Sequence, residues 1–191
     1  MKKNKFPVGI VAAIILSALS AGALEITAAA PAATEKGKAA DFVFSGSVIV
    51  KNIAFEKGAV VMPVTEYKDR AYTDIRLLSK SLYEKLGACF SEKKCAYAGK
   101  AAKPKLSVLE VKPLKSKARV ANVILAFDGE LSVTFGVIQK ASGELWAAYP
   151  ANFEVKDPAL KDLIENKVKE AFNSASRSDK KAVGAAVVNK K

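Results

Sequence analysis

Two stretches of the chain alternate apolar and polar positions as β-strands do, and each stretch ends in a segment with helical spacing. In the first stretch, Phe42 to Phe55 alternates and is rich in β-branched residues, Lys57-Gly58 is a turn signal, and Ala59 to Val64 returns the chain. This pattern predicts a hairpin. Tyr72 to Leu78 predicts one further strand. Ser79 then follows as a candidate N-cap of a helix. Its apolar face contains Leu82, Tyr83, Leu86 and Phe90.

The second stretch gives clearer signals for strands and for a helix. The predicted strands are Leu106 to Leu114, Arg119 to Phe127, Leu131 to Gln139 and Leu145 to Tyr149. Asp128-Gly129 is a strong hairpin signal. Asp157-Pro158 supplies an N-cap followed by proline at the first helical position. The apolar face of this helix contains Leu160, Leu163, Ile164, Val168, Ala171 and Phe172. Strands covered by such helices predict an α+β fold.

The order of elements divides the chain into two units. Residues 41–99 and 100–172 each contain strand, turn, strand and helix, and the second strand ends at a proline in both, Pro63 and Pro150. This parallel favours an internal duplication, although any two units of this kind look alike. We expect the two units to pack as a single-chain pseudo-dimer. The flanking composition predicts a flexible lead-in at residues 24–40 and a basic disordered tail at residues 173–191.

The first 23 residues resemble a secretory signal. Three lysines precede an uncharged run from Phe6 to Leu24, and Ala21-Gly22-Ala23 is a small-x-small cleavage pattern. We therefore expect cleavage near Ala23 and export to the periplasm or the extracellular space. The alternative is an uncleaved anchor in the inner membrane through residues 6–24, because the run is nearly long enough to span a bilayer.

The net charge favours anionic partners. The full chain carries +12, and removal of residues 1–23 takes away three lysines and no acidic residue, which leaves +9. Nucleic acid, anionic lipid and acidic wall polymers all suit such a field. The alternative is that the lysines only keep a small exported domain soluble.

The residue types present argue against catalysis. Histidine is absent, which removes histidine-based nucleophile systems, metal sites and proton shuttles. Cys89 and Cys95 are too few for a structural zinc site, and no phosphate-binding loop is present. We therefore predict no catalytic residue, no metal, no cofactor and no small-molecule substrate. Two cysteines this close in an exported chain predict a disulfide, with a pair of free, buried thiols as the alternative.

Candidate binding residues concentrate between the first two predicted strands of the second unit. A hairpin there would place Lys115 and Lys117 at its tip, flanked by Lys112 and Arg119, where they can follow a phosphate backbone. A solvated turn is equally consistent with this pattern. Trp146 and Tyr149 point to opposite faces of the last strand, so one of them is expected to pack in the core.

The order and spacing of several residues resemble the stage V sporulation protein G (SpoVG) family of septation regulators. The resemblance rests on Met62-Pro63, Asp69, Tyr72, Asp74-Ile75 and Glu84-Lys85-Leu86, and on Val108 to Lys112, Phe127-Asp128 and Leu145 to Pro150 in the second unit. The family's basic residues after Met-Pro are replaced here by Val64, Thr65 and Glu66. Only Lys68 and Arg70 could take the place of the family's basic residues.

The resemblance implies a small strand-rich domain, dimers built from such units, binding of DNA and RNA, and a role in septation. We therefore expect a non-enzymatic, exported module that binds DNA, RNA or another polyanion with low specificity, as a monomeric pseudo-dimer or a homodimer. The polyanion-binding candidates are Lys112, Lys115, Lys117, Arg119, Lys68 and Arg70. The alternative is a structural or interaction domain that docks an envelope protein and binds no nucleic acid.

Overall fold

A computed structural model describes residues 23–32, 38–91, 95 and 102–188. The predicted signal at residues 1–23 and the alternative anchor at residues 6–24 lie outside the described residues, apart from Ala23 and Leu24. Within the described part of the chain, neither helix is long and apolar enough to cross a membrane.

The described residues form an α+β fold of twelve strands and two helices, which confirms the predicted fold class. The strands of the first half are β1 (Ile26–Ala32), β2 (Lys38–Phe44), β3 (Val48–Glu56), β4 (Ala59–Val61), β5 (Thr65–Tyr67), β6 (Arg70–Tyr72) and β7 (Ile75–Leu77). Those of the second half are β8 (Leu106–Pro113), β9 (Arg119–Phe127), β10 (Leu131–Gln139), β11 (Leu145–Ala148) and β12 (Phe153–Val155). The helices are α1 (Lys80–Ser91) and α2 (Pro158–Val188).

The strands form two five-stranded antiparallel sheets and a separate hairpin. The first sheet has the order β1-β2-β3-β12, and β4 pairs with the other end of β3. The second has the order β8-β9-β10-β11, and β7 pairs with the other end of β10. Strands β5 and β6 pair only with each other. In both large sheets, three long strands follow one another in chain order, and two short strands share the edge of the third.

The two halves exchange their last short strands. β7 lies in the first half of the chain but pairs with β10, with Ile75 opposite Val133. β12 lies in the second half but pairs with β3, with Phe153 opposite Val50. Each large sheet therefore contains a strand from the other half of the chain.

One continuous core joins both sheets and both helices. Phe153 of β12 contacts Phe127 and Phe135 of the second sheet, with ring centroids 5.5 and 5.7 Å apart. The predicted apolar faces supply Leu82, Leu86 and Phe90 of α1, and Leu160, Ile164 and Val168 of α2, all of them buried. Tyr83 and Leu163 were also predicted to lie on these faces, but they are exposed.

The predicted helix starts and the predicted disulfide are confirmed. The Ser79 Oγ accepts a hydrogen bond from the Leu82 N–H at 3.2 Å, and the Asp157 carboxylate accepts one from the Ala159 N–H at 3.0 Å. These side chains satisfy N–H groups that have no partner within the first turn of the helix. Cys89 and Cys95 are joined, with Cα atoms 4.2 Å apart, so the alternative of two free thiols is wrong.

Two strands predicted as continuous are interrupted. Phe42 to Phe55 contains a turn at Ser45-Gly46, where φ is 47° and 67°, so it forms the end of β2 and nearly all of β3. Tyr72 to Leu78 is divided between β6 and β7, and β6 forms a hairpin with β5 that the sequence did not predict. Its turn, Lys68-Asp69, has φ values of 47° and 58° without a glycine, which removes the usual signal.

Both flanks contain more regular structure than predicted. Residues 26–32 form β1 and Lys38 begins β2, so the lead-in predicted for residues 24–40 is not wholly flexible. Leu24 and Ile26 are buried, because they fill a core that the first unit cannot close without them. At the other end, α2 continues through the predicted disordered tail to Val188. Alanine, lysine and arginine in this segment have high helix propensity.

Candidate polyanion-binding surface

The β8-β9 hairpin carries four of the six predicted binding residues at one end of the second sheet. Lys112 lies in β8, Lys115 and Lys117 lie in the connecting turn, and Arg119 begins β9. The Leu114 N–H donates to the Val120 carbonyl at 2.8 Å and closes the hairpin. The three lysines are exposed and Arg119 is half-buried. The structure thus places these four cations together.

The neighbouring β10-β11 hairpin lies beside this turn and adds one cation. The Gln139 N–H donates to the Ala118 carbonyl at 2.9 Å, which holds the two hairpin ends side by side. A shallow groove of about 460 Å³ lies between them, lined by residues 117–118, 139–141 and 143. Lys140 reaches Glu144 at 2.8 Å, and this hydrogen bond and charge lower the pKa of Glu144. We call residues 112–119 and 139–144 the hairpin-end surface.

Arg119 is held in a defined position on this surface. Its Nε donates a hydrogen bond to the Asn122 side-chain oxygen at 2.8 Å. Its guanidinium group lies against the backbone of Gly136, where an added Cβ would be 2.7 Å from Nε and 2.9 Å from Cζ. A side chain on residue 136 would therefore occupy the place of the guanidinium. Glycine in the middle of β10 leaves the room for this close approach.

The terminal nitrogens of Arg119 remain free to bind a ligand. Among the described residues, no carboxylate pairs with Arg119, and its one side-chain hydrogen bond comes from Nε. A guanidinium presents its N–H groups as a planar fork that matches carboxylate and phosphate oxygens. Because Asn122 and Gly136 already restrict the arginine, binding an anion would cost less conformational entropy there than on a mobile lysine.

The carboxylates of the hairpin-end surface neutralise only part of its charge. Lys112 pairs at 3.0 Å with Glu110, two residues earlier in β8, and Lys140 pairs with Glu144. Lys115, Lys117 and Arg119 make no ion pair with a described residue. The surface therefore keeps three uncompensated positive charges within a few residues of one another.

Lys68 and Arg70, the other two predicted binding residues, lie apart from this surface. They belong to the separate β5-β6 hairpin, where both are exposed and the Lys68 Nζ lies 5.3 Å from the centre of the Tyr67 ring. Glu66 and Asp69 stand in the same hairpin and balance the two positive charges. The structure therefore does not unite all six predicted residues in one site.

An aromatic residue, Trp146, lies two strands from Arg119 and in register with it. Ile138 of β10 is opposite Arg119 on one side and opposite Trp146 of β11 on the other. Trp146 is 41% exposed, whereas Tyr149 packs on Phe135 at 5.1 Å. Burial raises the pKa of Tyr149, and the charges of Glu165 and Asp162 add to the rise. The prediction that one of the two aromatic residues belongs to the core is confirmed.

The sequence did not predict the two residues that position Arg119. The signal available for Gly136 was an isolated glycine inside a run of strand formers, which marks close approach of another group. Nothing in the sequence indicated Asn122 as its partner. Within the described residues, no group of three or more Cys, Asp or Glu side chains is arranged to hold a metal ion.

Comparisons of the chain with models of protein families, with curated proteins and with solved structures gave no match.

Proposed function

We propose that this protein is a non-enzymatic, exported module that binds polyanions through the hairpin-end surface. The observation that carries the proposal is the arginine fork of Arg119, fixed by Asn122 and Gly136 beside two unpaired lysines. Phosphate and carboxylate oxygens are the ligands that such a fork binds best. The bound polymer would be DNA, RNA or another chain of anionic groups.

Binding at this surface should show little preference for one nucleotide sequence over another. Lys115 and Lys117 are long, exposed side chains in a turn, and such contacts neutralise backbone charge without reading bases. Trp146, two strands from Arg119 and in register with it, offers an aromatic face on which a base or a sugar could stack, and stacking tolerates any base. Affinity should therefore depend on charge density and salt more than on sequence.

The ancestry we propose is a duplicated SpoVG-like unit acting as a single-chain pseudo-dimer. In favour of it, both large sheets have the same order of three long strands and two short edge strands, and both halves end in a helix. The exchange of β7 and β12 is also what two subunits of a strand-swapped dimer would do. The link to septation is carried by the family resemblance.

The disulfide supports export. Disulfides persist in oxidising compartments such as the periplasm and the extracellular space, and they are rare in the cytosol. Cys89 and Cys95 form one in this fold. With the signal-like pattern of residues 1–23, this favours an exported protein over one that meets chromosomal DNA.

The proposal is tested by polyanion binding across a salt series. Fluorescence anisotropy with a labelled single strand, a duplex and a polyphosphate should show affinity that falls steeply with salt, by about 0.9 in log K per log unit of salt for each duplex phosphate neutralised. Replacing Lys112, Lys115, Lys117 and Arg119 together by alanine should remove most of the binding and lower the slope for duplex DNA by up to about 3.6.

A matched control is the double variant Lys68→Ala with Arg70→Ala, which removes two exposed cations outside the hairpin-end surface. It should weaken binding less than the four-residue change. A tight, salt-resistant preference for one DNA sequence that survives the four-residue change would refute the proposed surface.

A second candidate function is docking of an envelope protein on the outer face of the second sheet. Leu109 is 51% exposed and Trp146 41% exposed on this sheet, and Leu78, just beyond β7 at its edge, is exposed as well. Apolar side chains exposed on one sheet are typical of protein contact surfaces. A partner captured there should bind with little dependence on salt, which separates this candidate from polyanion binding.

A further inference from the structure

Leu24, near the first of the described residues, contacts the carboxylate of Glu130, which forms no ion pair with a described lysine or arginine. The backbone N–H of Leu24 donates a hydrogen bond to Glu130 Oε2 at 2.7 Å. The other oxygen, Oε1, accepts a hydrogen bond from the Ser79 hydroxyl at 3.0 Å. Glu130 is half-buried in the β9-β10 turn, and no lysine or arginine of the described residues pairs with it. A partly buried carboxylate held by neutral donors alone is less stable than one that also has a counter-charge.

The position of Leu24 in the fold is equally specific. Its side chain is fully buried, whereas Ala23 before it is exposed. Leu24 is therefore the first of the described residues to lie in the core. It is also the residue that follows Ala21-Gly22-Ala23, the small-x-small pattern at which a signal peptidase would cut.

We propose that cleavage after Ala23 creates the missing counter-charge: the new α-ammonium group of Leu24 binds Glu130 and locks the N-terminus onto the second sheet. Hydrolysis of the Ala23–Leu24 bond consumes one water, leaves a carboxylate on the released segment, and leaves an amine on Leu24 that takes up a proton. The nitrogen already lies at the distance of a charge-assisted hydrogen bond. This inference rests on the proposed export.

The charged groups around Leu24 and Glu130 do not supply the counter-charge that we assign to the α-ammonium group. In the same turn, burial raises the pKa of Asp128, the backbone N–H of Lys105 opposes the rise, and the charge of Glu130 adds to it. Beside Leu24, Glu25 is engaged with Lys85 of α1 at 3.8 Å. In the first turn of α1, Lys80 pairs with Glu84 at 3.4 Å. Lys105, Lys85 and Lys80 belong to these neighbouring segments, and no described lysine or arginine forms an ion pair with Glu130.

The ion pair between the Leu24 α-ammonium group and Glu130 would connect three parts of the molecule. Glu130 joins the N-terminus to the Ser79 hydroxyl, which also caps α1. The backbone carbonyl of Glu130 accepts from the Leu78 N–H at 2.7 Å, just before that helix. The processed chain end would therefore stabilise the start of α1 and the β9-β10 turn together.

The test compares two forms of the chain that begin at Leu24 and contain every described element after Ala23. One has a free α-amine and the other is acetylated, so both keep an N–H that can donate to Glu130 and only the charge differs. We expect the free form to have an unfolding equilibrium constant about tenfold smaller at pH 6. This corresponds to an α-amine pKa about one unit above its ordinary range of about 7.7 to 8.0.

The pH dependence gives an independent readout. A group whose pKa is raised by folding stabilises the protein fully below its unfolded pKa, and the effect is lost as the pH rises through the folded pKa. The advantage of the free form should thus disappear between about pH 8 and pH 10. Histidine is absent and both cysteines are bridged, so no side chain has an ordinary pKa near 8.

The substitution Glu130→Gln in both forms completes a double-mutant cycle, and Glu25→Gln is the matched control at the adjacent carboxylate. The difference between free and acetylated forms should vanish in the Glu130 variant and persist in the Glu25 variant. Equal unfolding constants for the two parent forms, or a difference that survives Glu130→Gln, would overturn the pairing. Mass spectrometry of the exported protein should give Leu24 as its first residue, and any other N-terminus would overturn the role of cleavage without bearing on polyanion binding.

Discussion

Arg119 and Gly136 show how a candidate binding residue is positioned by a glycine on the neighbouring strand. Arg119 was predicted from the basic run, but its fixed geometry depends on β9-β10 pairing that places Asn122 opposite Gly136. A sequence pattern predicts that both strands exist. It does not predict the register that brings a guanidinium onto one particular glycine.

The substitution Gly136→Ala should reduce polyanion binding while leaving stability nearly unchanged. The new methyl group would displace only the end of a flexible arginine, and alanine lowers the entropy of the unfolded chain relative to glycine. Affinity should fall about as far as it does in Arg119→Ala, and the double variant should lose no more than either single one. Anisotropy titrations and thermal melts measure the two effects. Additive losses in the double variant would show that the glycine acts elsewhere.

The strands and helices were predicted best where glycine, proline and aspartate residues mark the adjoining turn or helix cap. Asp128-Gly129 and Asp157-Pro158 mark their turn and cap, and the two strands beside the turn and the start of α2 agree with the structure. The end of α2 does not, because no cap marks it and the helix continues to Val188. The Lys68-Asp69 turn lacks glycine, and β12 is three residues long, so both escaped prediction. The partners of β7 and β12 were not predictable from local pattern, because pairing between distant strands leaves no periodicity in the sequence.

Helix α1 ends next to the disulfide, and removal of the bridge should be modestly destabilising. Cys89 and Cys95 are six residues apart. Closing so short a loop restricts the unfolded chain by about 2 kcal/mol on the chain-entropy model. The double variant Cys89→Ser with Cys95→Ser should therefore melt a few degrees lower and keep its fold. Two reactive thiols in the unfolded, unreduced parent protein would contradict the bridge.

At the scale of the whole molecule, the exchange of β7 and β12 predicts that neither half folds alone. A chain cut between residues 99 and 105 would leave β3 without β12, and β10 without β7. Each fragment should give a poorly dispersed NMR spectrum, and mixing the two fragments should restore the dispersion of the intact protein. Separate fragments with well-dispersed spectra of their own would show that the exchange is dispensable.

Because β12 pairs with β3, the first sheet can be completed only after most of the described chain has been synthesised. Asn52 of β3 and Asn152, which immediately precedes β12, are joined by a side-chain hydrogen bond although 100 positions separate them in the chain. Until residues 153–155 have emerged, residues 48–50 of β3 form an unpaired edge, and unpaired edges recruit other strands. The nascent protein therefore passes through a long interval in which its first sheet is open to self-association. A chain with this connectivity is therefore most exposed to aggregation before its last strand arrives.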